Sequence, residues 1–239
     1  MIKKVNLKGN EVEYDLEIKP VKNINLRIKA DKSVYVSANS SISESTISDF
    51  LISKADYILE ALRKYEEILK YATITRSFVD GESVKVFGHH RRLVIKQSNK
   101  NYVASDESYI YIFCKDTNDF ATKQKILNKW LQKQLKIEVE NLCKNTYKKF
   151  EKNELRYPEI RYRNMVSRWG SCQPKRGVLT FNYALINVPI ACVEYVVMHE
   201  FTHFLHPDHS KKFYLQLSMF MPDWRERKKM LDKEIVQSL

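Results

Sequence analysis

Apolar and polar residues alternate along the start of the chain. "VEYDLEI", "INLRIKA" and "SVYVSA" each keep a period of two, and Asp31, Lys32 and Ser33 supply turn chemistry between the last two. Period two predicts half-buried β-strands. The period then changes. Ile47, Leu51, Ala55, Ile58, Leu62 and Tyr65 fall on one helical stripe, with Ser43 or Ser45 as the cap that starts it. Period two returns in "VKVFG", "RRLVIKQ" and "SYIYIFC". A long amphipathic helix is expected over about residues 119–150, with Leu127, Leu131, Leu135, Val139 and Leu142 on its buried face.

Beyond it, "EIRYRNMVSRW" alternates, with Ile160, Tyr162, Asn164 and Val166 on one side, and "GVLTFNYAL" is a further strand. "NVPIACVEYVVMHEFTHFLH" predicts a helix with Pro189 in its first turn and Asn187 or Val188 at the cap. It is apolar nearly all round, which predicts burial. A last helical stretch begins near Ser210, is interrupted at Pro222 and resumes with "DWRERKKMLDKEIVQSL". These elements predict an α+β protein. An antiparallel β-rich region with a helix spans residues 1–116, and a small domain with the apolar helix packed on a short sheet spans 117–239, with the boundary at the polar "CKDTND". No internal repeat or low-complexity tract is evident.

Composition narrows the class. The chain has 239 residues, 44% hydrophobic and 29% charged, as in ordinary globular proteins. No apolar run is long enough to cross a membrane as a helix, and the N-terminus turns polar too early for a signal peptide. Cys114, Cys143, Cys172 and Cys192 form no CxxC pair, which fits reduced thiols acting as small buried hydrophobes. A cytoplasmic protein is expected.

The 41 basic and 29 acidic residues leave a net charge of +12. Much of the excess is a lysine row over residues 121–149: Lys123, Lys125, Lys129, Lys133, Lys136, Lys144, Lys148 and Lys149. Such a row is either a solvated helix face or a surface for polyanions. No nucleic-acid reader motif accompanies it.

The candidate chemistry lies in "HEFTHFLHPDHS", residues 199–210. His199 and His203 are four apart on a predicted helix, so both imidazoles can reach one metal ion. Glu200 is rotated away from that ion and can act on a water beside it as general base. A helix this apolar needs compensation for burying such groups, and metal ligation supplies it.

A catalytic zinc takes three protein ligands and leaves one position open. His209 is the best placed third ligand. Pro207 biases His206 out of helical geometry, and "HPD" can return the chain so that His209 approaches from a new direction. The spacing from His203 to His209 also equals that of the longer metzincin pattern, with His206 where that pattern has glycine. His206, Asp208 and Glu226 are the alternatives. His89 and His90 are adjacent, point to opposite faces of a strand, and are expected at a turn or surface.

Residues 168–232 resemble the YgjP-like metallopeptidase family, also called the domain-of-unknown-function-45 family, which is related to SprT-like and WLM proteases. The matching features are "RWGSC" (Arg168 to Cys172), Tyr195-Val196-Val197 before His199-Glu200, then His209-Ser210, Phe213, and "MPDW" (Met221 to Trp224). "RIKADKSVYVSA" and "DGESVKVFG" extend the resemblance more loosely into the first half. It implies a zincin-like domain with His199, His203 and His209 as zinc ligands; the resemblance supplies no substrate, and a protein or peptide is expected from the chemistry of the site.

Peptide-bond hydrolysis would then use a metal-activated water, with Glu200 as base and Arg168, Asn182, Tyr183 or Tyr214 as candidate oxyanion donors. "GVLTFNYAL" is the candidate strand for pairing with an extended peptide, the alternative being an internal strand paired on both sides. Arg168 and Trp169 also have a structural reading, with the tryptophan buried under the zinc helix and the arginine tying a loop. Two other functions fit the same residues. One is a binding module that keeps zinc for structure; the other is a protease acting on nucleic-acid-associated proteins through the basic surface.

Overall fold

The first alternating segments fold into β1 (Ile2–Leu7), β2 (Asn10–Ile18), β3 (Asn25–Ile28) and β4 (Val34–Ala38). They form one sheet in the order β1-β2-β4-β3. The β1–β2 hairpin closes through Lys8 and Gly9, both at positive φ, as a tight hairpin turn requires. The computed structural model describes residues 1–29, 31–72, 76–153, 155–165 and 168–234. The structure divides into two compact units, Met1–Ile74 and Thr75–Leu239.

In the first unit the helical stripe becomes two helices, α1 (Glu44–Ser53) and α2 (Ala55–Ala72), broken at Lys54. Ser43 caps α1 by accepting the Thr46 N–H. Ile47, Leu51, Ala55 and Ile58 pack on Val12, Tyr14, Leu16, Val34 and Val36 from the inward face of the sheet.

The second unit begins with the same arrangement. β5 (Ser83–Val86), β6 (His89–Gln97), β7 (Tyr102–Ser105) and β8 (Tyr109–Cys114) order as β5-β6-β8-β7. Its first hairpin closes through Phe87 and Gly88, again both at positive φ. A helix, α3 (Phe120–Tyr147), follows, capped by Asp119 on the Thr122 N–H. In both units the cap lies five residues after the last strand. The chain thus repeats a four-strand-and-helix topology that its side chains conceal.

Both sheets are mixed. β2 pairs parallel with β4, and β6 pairs parallel with β8. The α+β class therefore holds, while the antiparallel expectation holds only for the hairpins. The reason is that each sheet joins two hairpins side by side through strands running the same way.

The expected boundary near residue 116 also differs from the structure. Val84, Val86, Leu93, Ile110 and Ile112 share one core with Leu127, Leu131, Leu135 and Val139 of α3. The polar "CKDTND" is the short link between β8 and the α3 cap, inside one unit. The buried stripe of α3 continues to Cys143, and Leu142 is only half-buried. Lys123 is the exception in the lysine row, since it is buried and its Nζ donates to the Phe78 carbonyl.

The rest of the second unit is a small sheet with three helices. β9 (Glu159–Arg163), β10 (Gly170–Gln173) and β11 (Val178–Asn182) order as β10-β11-β9. β9 ends before Asn164, and Val166 lies outside the described residues. α4 (Ile190–Thr202), α5 (Lys211–Phe220) and α6 (Trp224–Asp232) complete the unit. α4 starts one residue later than expected, with Pro189 as its cap. The Phe87–Gly88 turn braces that start. Phe87 N donates to the Ile186 carbonyl at 2.6 Å, and a Cβ on Gly88 would lie 2.9 Å from Pro189 Cγ.

Candidate metal centre

α4 carries His199 and Glu200, and its cap residue His203 keeps right-handed helical backbone. The "HExxH" residues therefore share one helical spiral. Leu205 N and His206 N donate to the Thr202 carbonyl, and the chain then turns toward Ser210, the cap of α5. The turn returns His209 to the helix. One ring nitrogen from each of His199, His203 and His209 lies within 4.8 Å of the others. No other such group of potential ligands occurs among the described residues. His206, Asp208 and Glu226 do not join it.

The donor set fits a metal ion. His199 Nε2 and His209 Nε2 face each other at 3.0 Å. Two neutral imidazoles cannot aim lone pairs at one another unless a proton or a cation lies between them. Burial, helped by repulsion from His203, His209 and Lys228, lowers the pKa of His199 to about 3. Burial also lowers that of His203. Burial thus favours the neutral form of both, the form that ligates.

Their remaining ring nitrogens are engaged. His203 Nδ1 donates to the His206 backbone carbonyl at 3.1 Å. His199 Nδ1 lies 3.4 Å from the Tyr195 hydroxyl. His206 therefore serves the cluster through its backbone. Phe213, fully buried, packs its ring 4.7–4.9 Å from all three imidazole centroids. Tyr214 stacks between His209 and Trp224.

Glu200 is buried beside the cluster. Burial pushes its pKa up to about 8, against an opposing pull from Arg168. It touches β10 so closely that a Cβ on Gly170 would lie 2.7 Å from Glu200 Oε1. Only glycine leaves that carboxyl its place. Cys172, two residues on, has its pKa pushed up to about 12 by burial and then by Glu200, so it stays a thiol.

A cleft of about 510 Å³ opens over these groups. Its walls are Trp169 to Cys172 on one side and Lys228, Leu231 and Asp232 of α6 on the other, with Pro207 between. Arg227 fixes the α6 wall by pairing with Glu194 of α4 and Asp223.

The sequence-level choice of pairing strand is corrected here. β11 is flanked by β10 and β9, so neither of its edges is free, and all five of its residues are buried. β10 is the outer strand and lines the cleft.

The candidate oxyanion donors separate too. Asn182 is buried, donates to Met165 O and Arg168 O, and accepts from Met165 N and Ala184 N, so it holds a loop. Tyr183 stacks on Tyr162, away from the cleft. Arg168 and Trp169 both line the cleft, Arg168 exposed and Trp169 half-buried. Tyr195 also lines it; the sequence reading used this residue only as a family match. His89 and His90 are exposed at the start of β6.

No curated protein matches the chain. Among solved structures, the metallopeptidase zymogen of Pyrococcus abyssi abylysin is similar over 42% of this chain and 98% of that one, at 19% identity and a TM-score of 0.38. The YgjP-like metallopeptidase domain matches residues 22–234, so the chain that builds this centre belongs to the YgjP-like metallopeptidase family.

Proposed function

We propose that this metallopeptidase is zinc-dependent, with His199, His203 and His209 holding the ion and Glu200 acting as general base. The observation that carries the reading is the convergence of three imidazole nitrogens beside a buried carboxylate in an open cleft. A zinc ion there supplies Lewis acidity to a water and to a substrate carbonyl.

The chain does the rest. Tyr195 and the His206 carbonyl engage Nδ1 of His199 and His203, which leaves Nε2 of each as the ligand nitrogen. The outer edge of β10 supports an extended peptide pairing beside Glu200. Glu200 takes the proton of the attacking water as the new carbon–oxygen bond forms. It then gives that proton to the leaving nitrogen as the carbon–nitrogen bond breaks. Burial strengthens its hold on a proton, which suits a group that must carry one between those atoms. Arg168 is the cleft cation available to the carbonyl oxygen. None of the described helices is long and apolar enough to cross a membrane. Free thiols at all four cysteines support a cytoplasmic setting.

Hydrolysis of unfolded proteins by zinc-loaded wild type and Glu200→Gln tests the base. The variant is expected to keep one zinc per chain and lose at least about a hundredfold in rate. Equal, background-level rates in both would return the zinc to a structural role, although a structural site is normally closed by a fourth ligand. Tyr195→Phe is expected to weaken zinc binding by about 10- to 100-fold, read by chelator competition. Unchanged affinity would remove Tyr195 from the support of His199.

A further inference from the structure

The two four-stranded sheets share one pairing scheme, so their outward faces can be compared position by position. One row across the first sheet reads Glu17, Ser37 and Asn25 by its registers. The same row of the second reads Lys96, Phe113 and Tyr102. Counting from the equivalent hairpin glycines, Glu13 of β2 has Arg92 of β6 as its counterpart. Counting four residues back from Ser37 and Phe113, Ser33 has Tyr109 as its counterpart. Of the four outward rings, Tyr111 has a ring as its counterpart, Tyr35, which lies under Lys29. A topology that folds with acids and small polar residues at the other positions does not require rings and cations there.

The rings are ordered. Tyr102 and Phe113 stack with centroids 4.3 Å apart and planes within 5°. Lys96 Nζ sits 4.9 Å from the Tyr111 centroid and 6.0 Å from that of Phe113. The Tyr111 hydroxyl donates to Asp106 Oδ2 at 2.9 Å. Successive outward residues of β8 lie ~7 Å apart, so Tyr109, Tyr111 and Phe113 form a row along the strand. Tyr102 and Tyr109 are 47% and 42% exposed. The apolar stripe of α3 covers the opposite, inward face, so these rings are not the core of their unit.

We infer that the outward face of β6, β8 and β7 is a docking surface for single-stranded nucleic acid. Tyr109 and the face of Tyr102 turned away from Phe113 offer stacking planes to unpaired bases, and Lys96 and Arg92 on the neighbouring β6 complement phosphates. The net charge of +12 favours approach of a polyanion. An acidic peptide would use the cations but has no planar groups to match the rings. This surface shares no residue with the metal cleft, and it stands whether or not Glu200 is the base. Together with the cleft, it would direct peptidase activity to proteins held on single strands.

Fluorescence anisotropy of a short labelled oligothymidine with the full chain tests the assignment. Binding at low salt is expected, weakening steeply as salt rises. Tyr102→Asn and Phe113→Ser, which place the first sheet's residues on the second, are each expected to weaken it about tenfold with an unchanged thermal transition. Phe113→Leu keeps apolar bulk without the ring; it is expected to weaken binding as well, and decides the matter if Phe113→Ser misfolds. Lys96→Ala is expected to reduce the salt slope by about one. No binding at low salt would overturn the inference. So would binding that the ring variants leave unchanged, or competition by polyglutamate as strong as by unlabelled oligothymidine.

Discussion

The first and second units begin with the same four-strand pairing, the same kind of hairpin turn and the same spacing to a capped helix, yet among the described residues only the second braces a candidate metal centre. Two differences account for this. The first unit's helix breaks at Lys54, so α1 and α2 cover their own sheet. In the second, α3 runs unbroken for 28 residues, and its buried stripe shares a core with Phe181, Val193, Val197 and Phe201 around the HExxH helix. The hairpin turns differ as well. A Cβ on Gly9 would meet nothing within 4 Å, whereas Gly88 lies against Pro189 at the start of α4. The topology is a general scaffold; what it supports depends on helix length and on what the turn touches.

The sharpest way to test that contrast is a matched pair of cavities. Leu51 and Leu127 occupy equivalent positions, each eight residues after its cap and each fully buried. Leu→Ala at either should cost about 2–5 kcal/mol in its own unit. Leu51→Ala is expected to lower a thermal transition of the first unit while peptidase activity at low temperature is retained. Leu127→Ala is expected to lower the transition that zinc raises and to shorten the lifetime of activity on warming. Loss of activity at low temperature in Leu51→Ala would show that the first unit supports the site as directly as the second.

The hairpin glycines give a smaller, more local comparison. Alanine at positive φ costs about 1 kcal/mol. Gly9→Ala should pay only that. Gly88→Ala adds a contact of 2.9 Å with Pro189, and overpacking of this kind costs a further ~1–3 kcal/mol. Gly88→Ala is therefore expected to destabilise more and to weaken zinc binding, while Gly9→Ala leaves zinc affinity at the wild-type value. Equal effects in chelator competition would break the link between the second hairpin and α4.

Much of the centre was legible because it breaks local rules. Two histidines and a glutamate interrupt an otherwise apolar helix, and Pro207 marks where the chain must turn toward His209. The part played by His206 was not legible, since it acts through a carbonyl that every residue possesses. The edge strand was misassigned because "GSCQ" has no alternation, whereas "VLTFN" is a continuous apolar-rich run, the mark of an inner strand covered on both faces. The boundary at "CKDTND" failed for a related reason: polarity in a short linker says nothing about whether the elements it joins share a core. The repeat stayed hidden because hairpin glycines, caps, inward apolar positions and the outward pair Tyr35 and Tyr111 recur, while most outward residues have changed character.

Those caps supply the smallest and most even-handed prediction. Ser43 accepts from Thr46 N and Asp119 from Thr122 N, the same bond at equivalent positions. Removing a capping side chain costs about 1 kcal/mol, because it leaves an N–H of the first turn without its acceptor. Asp119 also places a negative charge at the helix N-terminus, where the first-turn N–H groups favour it, and its pKa is lowered first by the Thr122 hydroxyl and then by the Thr122 N–H. That shift sets a sign. A carboxyl with a depressed folded-state pKa contributes stability above its ordinary value and loses it as pH falls through the lowered one. Asp119→Ala should therefore cost the second unit slightly more than Ser43→Ala costs the first at neutral pH. The gap should close in acid, where the native aspartate is protonated. A serine cap has no charge to lose, so the Ser43→Ala difference should stay flat over the same range. If both differences track pH alike, capping by charge is not what separates these two otherwise equivalent helix starts.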